Sequence, residues 1–128
     1  MPWECKAGST LYIPSGPAGN HLFVILNDPA DFKIFPSQSC VLVNFSTVRK
    51  APYDKTVVVD AGVHPFLKDK SYVRYRSVKC ERAADLEKRV QLLLLAAGQP
   101  VSEELLKRIK EGFYQSDQTP RDFKELKL

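Results

Sequence analysis

The sequence predicts a small α+β domain: a strongly bent sheet or barrel of roughly five or six strands, followed by two or three helices. Three observations predict it. Residues 1–80 consist of short apolar runs, rich in β-branched side chains and separated by Pro, Gly, Asn and Asp. After Cys80 the apolar spacing changes from that of a strand to that of a helix. The chain has 128 residues, 44% of them hydrophobic and 27% charged, enough to bury one core without staples. Residues 1–128 are therefore read as a single domain, with the β part over 1–80 and the helical part over 81–128.

The strands follow in order. Ser9-Thr10-Leu11-Tyr12-Ile13 is the first, ended by Pro14-Ser15-Gly16-Pro17-Ala18-Gly19-Asn20, a loop by composition. His21-Leu22-Phe23-Val24-Ile25-Leu26 is apolar on both alternating faces, which marks a central strand closed by Asn27-Asp28-Pro29. A looser surface excursion carries Phe32, Ile34, Phe35 and Pro36. Cys40 to Ser46 is a third apolar strand that ends in the hydroxyls Ser46-Thr47, before a basic, turn-like stretch from Val48 to Lys55. Thr56-Val57-Val58-Val59-Asp60 is β-branched almost throughout and reads as a fourth strand, broken by Ala61-Gly62. His64-Pro65-Phe66-Leu67 reads as a short extended piece, since a residue before proline avoids helical geometry. Ser71 to Val78 alternates as a last strand.

In the helical part, Leu86, Val90, Leu93, Leu94 and Ala97 share one face, with Gly98 placed to end the helix. Ser102 is a cap for a second helix whose first turn carries Glu103 and Glu104. Its apolar face is Leu105, Leu106, Ile109 and Phe113. Thr119-Pro120 starts a third short helix with Phe123 and Leu126 on its buried side.

Composition excludes several classes. The start Met1-Pro2-Trp3-Glu4-Cys5-Lys6 lacks the basic-then-apolar order of a secretory signal, and the longest apolar run, Leu92 to Ala97, is too short to span a bilayer. A cytoplasmic protein without a membrane partner is the expectation. The three cysteines, Cys5, Cys40 and Cys80, form no closely spaced pair, so they read as free thiols and small buried side chains rather than zinc ligands. No cofactor or metal is expected, because no Gly-rich phosphate loop, nucleophile elbow or HExxH is present. Net charge is +4, and its excess lies in the β part: ten Lys/Arg against six Asp/Glu through Cys80, then nine of each. That bias suits a polyanion partner without requiring one.

Four groups of residues carry candidate chemistry. The chain has two histidines, His21 at the head of an apolar strand and His64 between two strands. Two imidazoles facing one substrate act as general base and general acid, as metal-free RNA cleavage requires. The alternative is that each is a hydrogen-bonded structural residue at a turn. Ser46 and Thr47 are hydroxyls at a strand exit, placed to hold a phosphate oxygen with Arg49 or Lys50, or equally to bond the turn backbone. Lys68, Lys70, Arg74, Arg76 and Lys79 interleave with Tyr72 and Tyr75. On a strand, Tyr72, Arg74 and Arg76 project from one face, where an aromatic between guanidinium groups stacks a base and holds phosphates. A solvated strand face carries the same residues.

The order of these pieces resembles the PemK/MazF-type toxins, endoribonucleases built on a small SH3-like barrel with a trailing helix. Gly8 to Ile13, His21 to Leu26, Val41 to Thr47, and Ser71-Tyr72-Val73 correspond to that family's first strand, its Arg-Pro-containing strand, its hydroxyl-ended strand and its later serine strand. The resemblance covers about the first eighty residues. It departs at His21-Leu22, which stand at the family's Arg-Pro, and in the paired helices after Glu81. It implies an SH3-like barrel acting on single-stranded RNA, with catalysis by His21, His64 and Thr47 or Ser46. RNA would be bound by Arg49, Lys68, Lys70, Tyr72, Arg74 and Arg76. It also implies a homodimer. The other expectation is a non-catalytic SH3-like module that binds protein or nucleic acid in a toxin–antitoxin, phage or mobile-element system, its helices docking on an antitoxin or other protein partner.

Overall fold

The structure, a computed structural model, describes residues 2–14, 17, 19–35 and 37–128. Ser15, Gly16 and Ala18 of the expected first loop, and Pro36 of the surface excursion, lie outside the described residues. The strands are β1 (Thr10–Pro14), β2 (Asn20–Ile25), β3 (Ser39–Thr47), β4 (Val58–Val59), β5 (Ser71–Arg82) and β6 (Ala96–Gly98). The helices are α1 (Ala83–Gln91), α2 (Glu103–Gln115) and α3 (Arg121–Lys124). The fold is α+β, as the change of period at Cys80 predicts. Among the described residues no helix is long and apolar enough to cross a membrane.

All pairings are antiparallel, and the six strands run in the order β4-β5-β3-β2-β1-β6. The sheet is open, with the short β4 and β6 at its two edges, so the ladder does not describe the expected closed barrel. The runs that are apolar on both faces, β2 and β3, occupy the middle, where each face of the sheet is covered. One face holds the main core. Leu22 and Val24 of β2, Val41, Val43 and Phe45 of β3, and Val73 and Tyr75 of β5 pack there against Leu105, Ile109 and Phe113 of α2. The opposite face holds a smaller core of Leu11, Phe23, Ile25, Cys40 and Leu42, covered by Ala83 and Leu86 of α1 and by Cys5.

α2 forms where its sequence signals stand. The Ser102 hydroxyl accepts from the Leu105 N–H at 3.1 Å, and Leu105, Ile109 and Phe113 are buried. α3 begins with Pro120 as its cap residue and without a side-chain cap; Phe123 packs on Phe35 at 5.4 Å between ring centroids, and Leu126 is buried.

Three elements differ from the sequence reading. The first helix stops at Gln91 instead of continuing to Ala97: the chain turns at Leu93, which takes a φ of 62°, and residues 96–98 join the sheet as β6. Ala97 pairs with Leu11 and Gly98 with Thr10, so the backbone edge of β1 finds partners that a helix would not supply. Gly98 is required by this approach, because a Cβ there would stand 2.5 Å from the Thr10 hydroxyl oxygen. The fourth strand shrinks to Val58–Val59. The segment with His64 is a closed turn, not an extended piece: the Gly62 N–H donates to Leu67 O, and the Leu67 N–H to His64 O, both at 2.9 Å.

β5 is longer than expected and irregular. Leu42 faces Lys79 and Asn44 faces Arg74, so two steps of β3 oppose five steps of β5. Such an insertion bends a strand and re-aims its side chains. From Tyr72 to Tyr75, at the start of this stretch, Val73 and Tyr75 point into the main core while Tyr72 and Arg74 stand on the other face. The Tyr75 hydroxyl donates to Ile109 O at 2.7 Å, tying the sheet to α2. Gly112, one turn on, leaves room for that ring, since a Cβ there would collide with the Tyr75 hydroxyl and a Val57 methyl.

Two substitutions test this joint. Tyr75→Phe removes one buried hydrogen bond and is expected to lower unfolding free energy by about 1 kcal/mol. Gly112→Ala favours an isolated helix by about 1 kcal/mol, yet it is expected to destabilise the protein by about 1–3 kcal/mol through overpacking. Urea denaturation of both variants measures the order, and a Gly112→Ala protein more stable than wild type would refute the close approach.

Candidate nucleic-acid interface

The register of the sheet explains how polar side chains gather on the face opposite α2. Ser46 lies opposite Tyr72, and Asn44 lies between Phe23 on β2 and Arg74 on β5. Directly paired residues share a face. Continuing the β2–β3 register by one side-chain repeat sets His21 opposite Ser46, giving a row His21–Ser46–Tyr72 beside a row Phe23–Asn44–Arg74. α1 and Cys5 cover the other half of this face, where Ile25, Cys40 and Leu42 lie.

At the end of the sheet where the first of these rows lies is an open cleft of about 540 Å³, lined from both faces, since Phe45 and Leu67 of the main core also reach it. His21 from β2, Ser46 and Thr47 from the end of β3, Arg49 from the following loop, Lys68 from the β4–β5 loop, and Tyr72 and Arg74 from β5 all line it. Seven of the residues singled out in the sequence therefore meet at one depression. Asn20, Phe66 and Asp69 line it as well, and sequence reasoning did not select them. Phe66 is exposed and packs against Tyr12 at 4.8 Å between centroids. Its signal in the sequence was its position beside His64-Pro65, which was read for the imidazole alone.

A second cleft of about 550 Å³ adjoins the first across Tyr72 and Arg74, which line both. Arg76 belongs only to this second cleft, together with Tyr53, Lys55 and residues at the end of α2. Tyr72, Arg74 and Arg76 line this second cleft together, in keeping with the alternation of β5 through Arg76. Tyr53 stacks beside Tyr72 with centroids 5.2 Å apart, and the Lys55 ammonium stands 5.7 Å from the Tyr53 ring centre. The loop that carries Tyr53 is fixed by Asp54, whose carboxylate accepts from the Thr56 N–H at 2.9 Å, the Thr56 hydroxyl and the Ser116 hydroxyl. Partial burial opposes ionisation of Asp54, but these three hydrogen bonds outweigh it and hold its pKa below the ordinary carboxylate value.

His64 and Lys70 stand apart from the first cleft. His64 is buried, with Nε2 2.8 Å from Gln99 O and Nδ1 accepting from the Phe66 N–H at 3.1 Å. Bonding a carbonyl at Nε2 and an N–H at Nδ1 fixes the neutral tautomer protonated at Nε2. Both ring nitrogens are thus engaged by backbone, and the expected pairing of His64 with His21 about one substrate is not what the structure brings together. Lys70 is exposed and lines neither cleft; its carbonyl accepts from the Val48 N–H. Among the described residues no three His, Cys, Asp or Glu side chains are grouped so as to hold a metal ion.

The cleft offers one imidazole, the hydroxyls of Ser46, Thr47 and Ser71, three cationic side chains and the rings of Phe45, Phe66 and Tyr72, with Asp69 as its one carboxylate. Such a set suits a phosphodiester next to a planar base. No protein-family model, curated protein or solved structure matches the chain.

The Asp54 network gives a pH signature. Its folded pKa is depressed, so its stabilisation is complete above the unfolded aspartate value of about 3.9 and is lost as pH falls through the folded value. Asp54→Asn is expected to cost about 1 kcal/mol at neutral pH, the partly exposed site being screened by solvent. Chemical denaturation from pH 7 down to about 3 is expected to show the gap between wild type and variant closing on the acid side.

Proposed function

We propose that the outward face of β2, β3 and β5 binds single-stranded RNA. One observation carries this reading: Arg49, Lys68 and Arg74 converge with the Ser46 and Thr47 hydroxyls and the Tyr72 ring on a single cleft. Cations and hydroxyls take the phosphates, and the tyrosine takes a base by stacking, a contact that an unpaired strand offers and a duplex does not. The second cleft beyond Tyr72 lets the strand continue past Tyr53. The resemblance to PemK/MazF-type toxins supports the same ligand, and a distant relation to their SH3-like sheet forms part of this proposal.

A second reading, metal-independent cleavage, is favoured by His21 standing in the cleft beside two hydroxyls and Arg74. His21 would take the proton of a 2′-hydroxyl, and Arg74 would stabilise the charged phosphorane. With both His64 nitrogens held by backbone, the acid role falls to a group other than a second imidazole.

Fluorescence anisotropy with a mixed-sequence single-stranded RNA, in EDTA and across a salt series, tests the proposal. Affinity is expected to fall with salt, and Arg74→Ala to flatten the slope of log K against log salt by about 0.7. Tyr72→Ala is expected to weaken binding by about 1–3 kcal/mol with the slope retained, and Lys70→Ala to leave both unchanged. Absence of salt-dependent binding by the folded protein would sink the RNA reading. The same samples run on a gel test cleavage: product from wild type and none from His21→Ala would establish it.

A further inference from the structure

Cys5 and Cys40 lie 35 residues apart in the chain, yet their Sγ atoms stand 2.7 Å from each other. Both are buried, 2% and 0% exposed, within the smaller core beneath α1. Each is carried on restrained backbone. Cys40 sits in β3, the central strand, where it faces Glu81 of β5. Cys5 lies on the N-terminal segment, which is laid over the core by three hydrogen bonds. Its own N–H donates to the Glu87 carboxylate of α1 at 2.9 Å, the Trp3 indole N–H to Thr10 O at 2.9 Å, and the Ser9 hydroxyl to Glu4 O at 2.8 Å. The third cysteine, Cys80, pairs in register with Val41 and packs against the main core, not the smaller one.

The geometry points to Cys5 and Cys40 as a reversible dithiol that closes into an intramolecular disulfide, stapling the N-terminal segment to β3, with a small disulfide such as oxidised glutathione as oxidant. A sulfur–sulfur bond of about 2.05 Å is reached by a shift of less than about 1 Å. One cysteine thiolate attacks oxidised glutathione, forming a mixed disulfide and releasing one glutathione thiolate. The second cysteine loses its proton, attacks the protein sulfur of that mixed disulfide and releases the second glutathione. The two protein thiols give up two electrons and two protons, which leave as two molecules of reduced glutathione. Before oxidation, the hydrogen bond to Cys40, together with burial, holds the Cys5 thiol in its protonated form. Exchange in the folded protein therefore waits on lifting of the N-terminal segment, and the bond, once made, locks that segment down.

The full chain is incubated with oxidised glutathione or with dithiothreitol, then denatured, alkylated and mapped by peptide mass. The expected oxidised product has one alkylated thiol of the original three, on Cys80, and a linked peptide pair joining Cys5 to Cys40. Its Tm rises by several degrees over the reduced form, because the cross-link restricts the unfolded chain. Cys5→Ala and Cys40→Ala each lose the linked pair and the rise, whereas Cys80→Ala keeps both. Three alkylated thiols after oxidation through an unfolding and refolding cycle would overturn the inference. So would glutathione adducts alone, a bond to Cys80, or a Cys5–Cys40 bond that leaves Tm unchanged. The peptide map on the unmutated chain decides the matter even where a variant fails to fold.

Discussion

Tyr75 holds the two layers of the protein together, and the side-chain alternation of β5 makes its inward placement decide what faces outward. Its ring lies fully buried between the sheet and α2, its hydroxyl bonds Ile109 O, and Gly112 supplies the space. Burial, reinforced by the nearby Asp54 charge, pushes its phenol pKa up, so the hydroxyl remains a donor at neutral pH. With Tyr75 and Val73 committed inward, Tyr72 and Arg74 must stand on the opposite face. A register slip of one residue would bury a guanidinium beneath α2 and expose a tyrosine that has a dedicated partner, a change costing several kcal/mol at the least.

That opposite face is divided. α1 and the segment around Cys5 cover one half, and His21, Ser46, Tyr72 and Arg74 of the first cleft stand on the other. Phe23 and Asn44 mark the boundary. The Phe23 ring is buried in the smaller core and also carries the Lys79 ammonium 4.7 Å from its centre. Asn44, 2% exposed, donates to Phe45 O at 3.4 Å, while its side-chain oxygen has no hydrogen-bond partner among the described residues. A valine there would avoid the penalty of about 1–3 kcal/mol attached to an unmet buried acceptor.

Much of this organisation was legible in the sequence because it rests on period and local chemistry. The doubly apolar run His21–Leu26 marks β2 as a central strand, and Ser102 with Leu105, Ile109 and Phe113 marks α2. His21, Ser46, Thr47, Arg49, Lys68, Tyr72 and Arg74 were legible as separate candidates, and the fold brings them to one cleft because strand ends and their loops meet at one end of a small sheet. What was illegible depends on distant partners. Ala96–Gly98 has helical spacing, but the unpaired edge of β1 draws it into the sheet. A closed barrel and an open sheet share one strand pattern and differ only in whether the edges meet. The contact between Cys5 and Cys40 has no signature in spacing, because it is made by folding the N-terminal segment across α1.

The two histidines show why residue type alone misleads. Each stands next to a loop, and each was an equal candidate for proton transfer. His21 keeps a half-exposed position on the cleft because its strand neighbours, Asn20 and Ile13, lie at the sheet's polar end. His64 follows Gly62, whose φ of 90° turns the chain back so that the ring tucks inward between Phe66 N–H and Gln99 O. There it joins the β4–β5 loop to the segment after β6, and Gln99 O also accepts from the Thr10 hydroxyl. The imidazole does for this loop what a backbone turn cannot, offering an acceptor to one strand of chain and a donor to another. Its contribution to the cleft is made through Phe66 and Lys68, which it positions by fixing the loop that carries them.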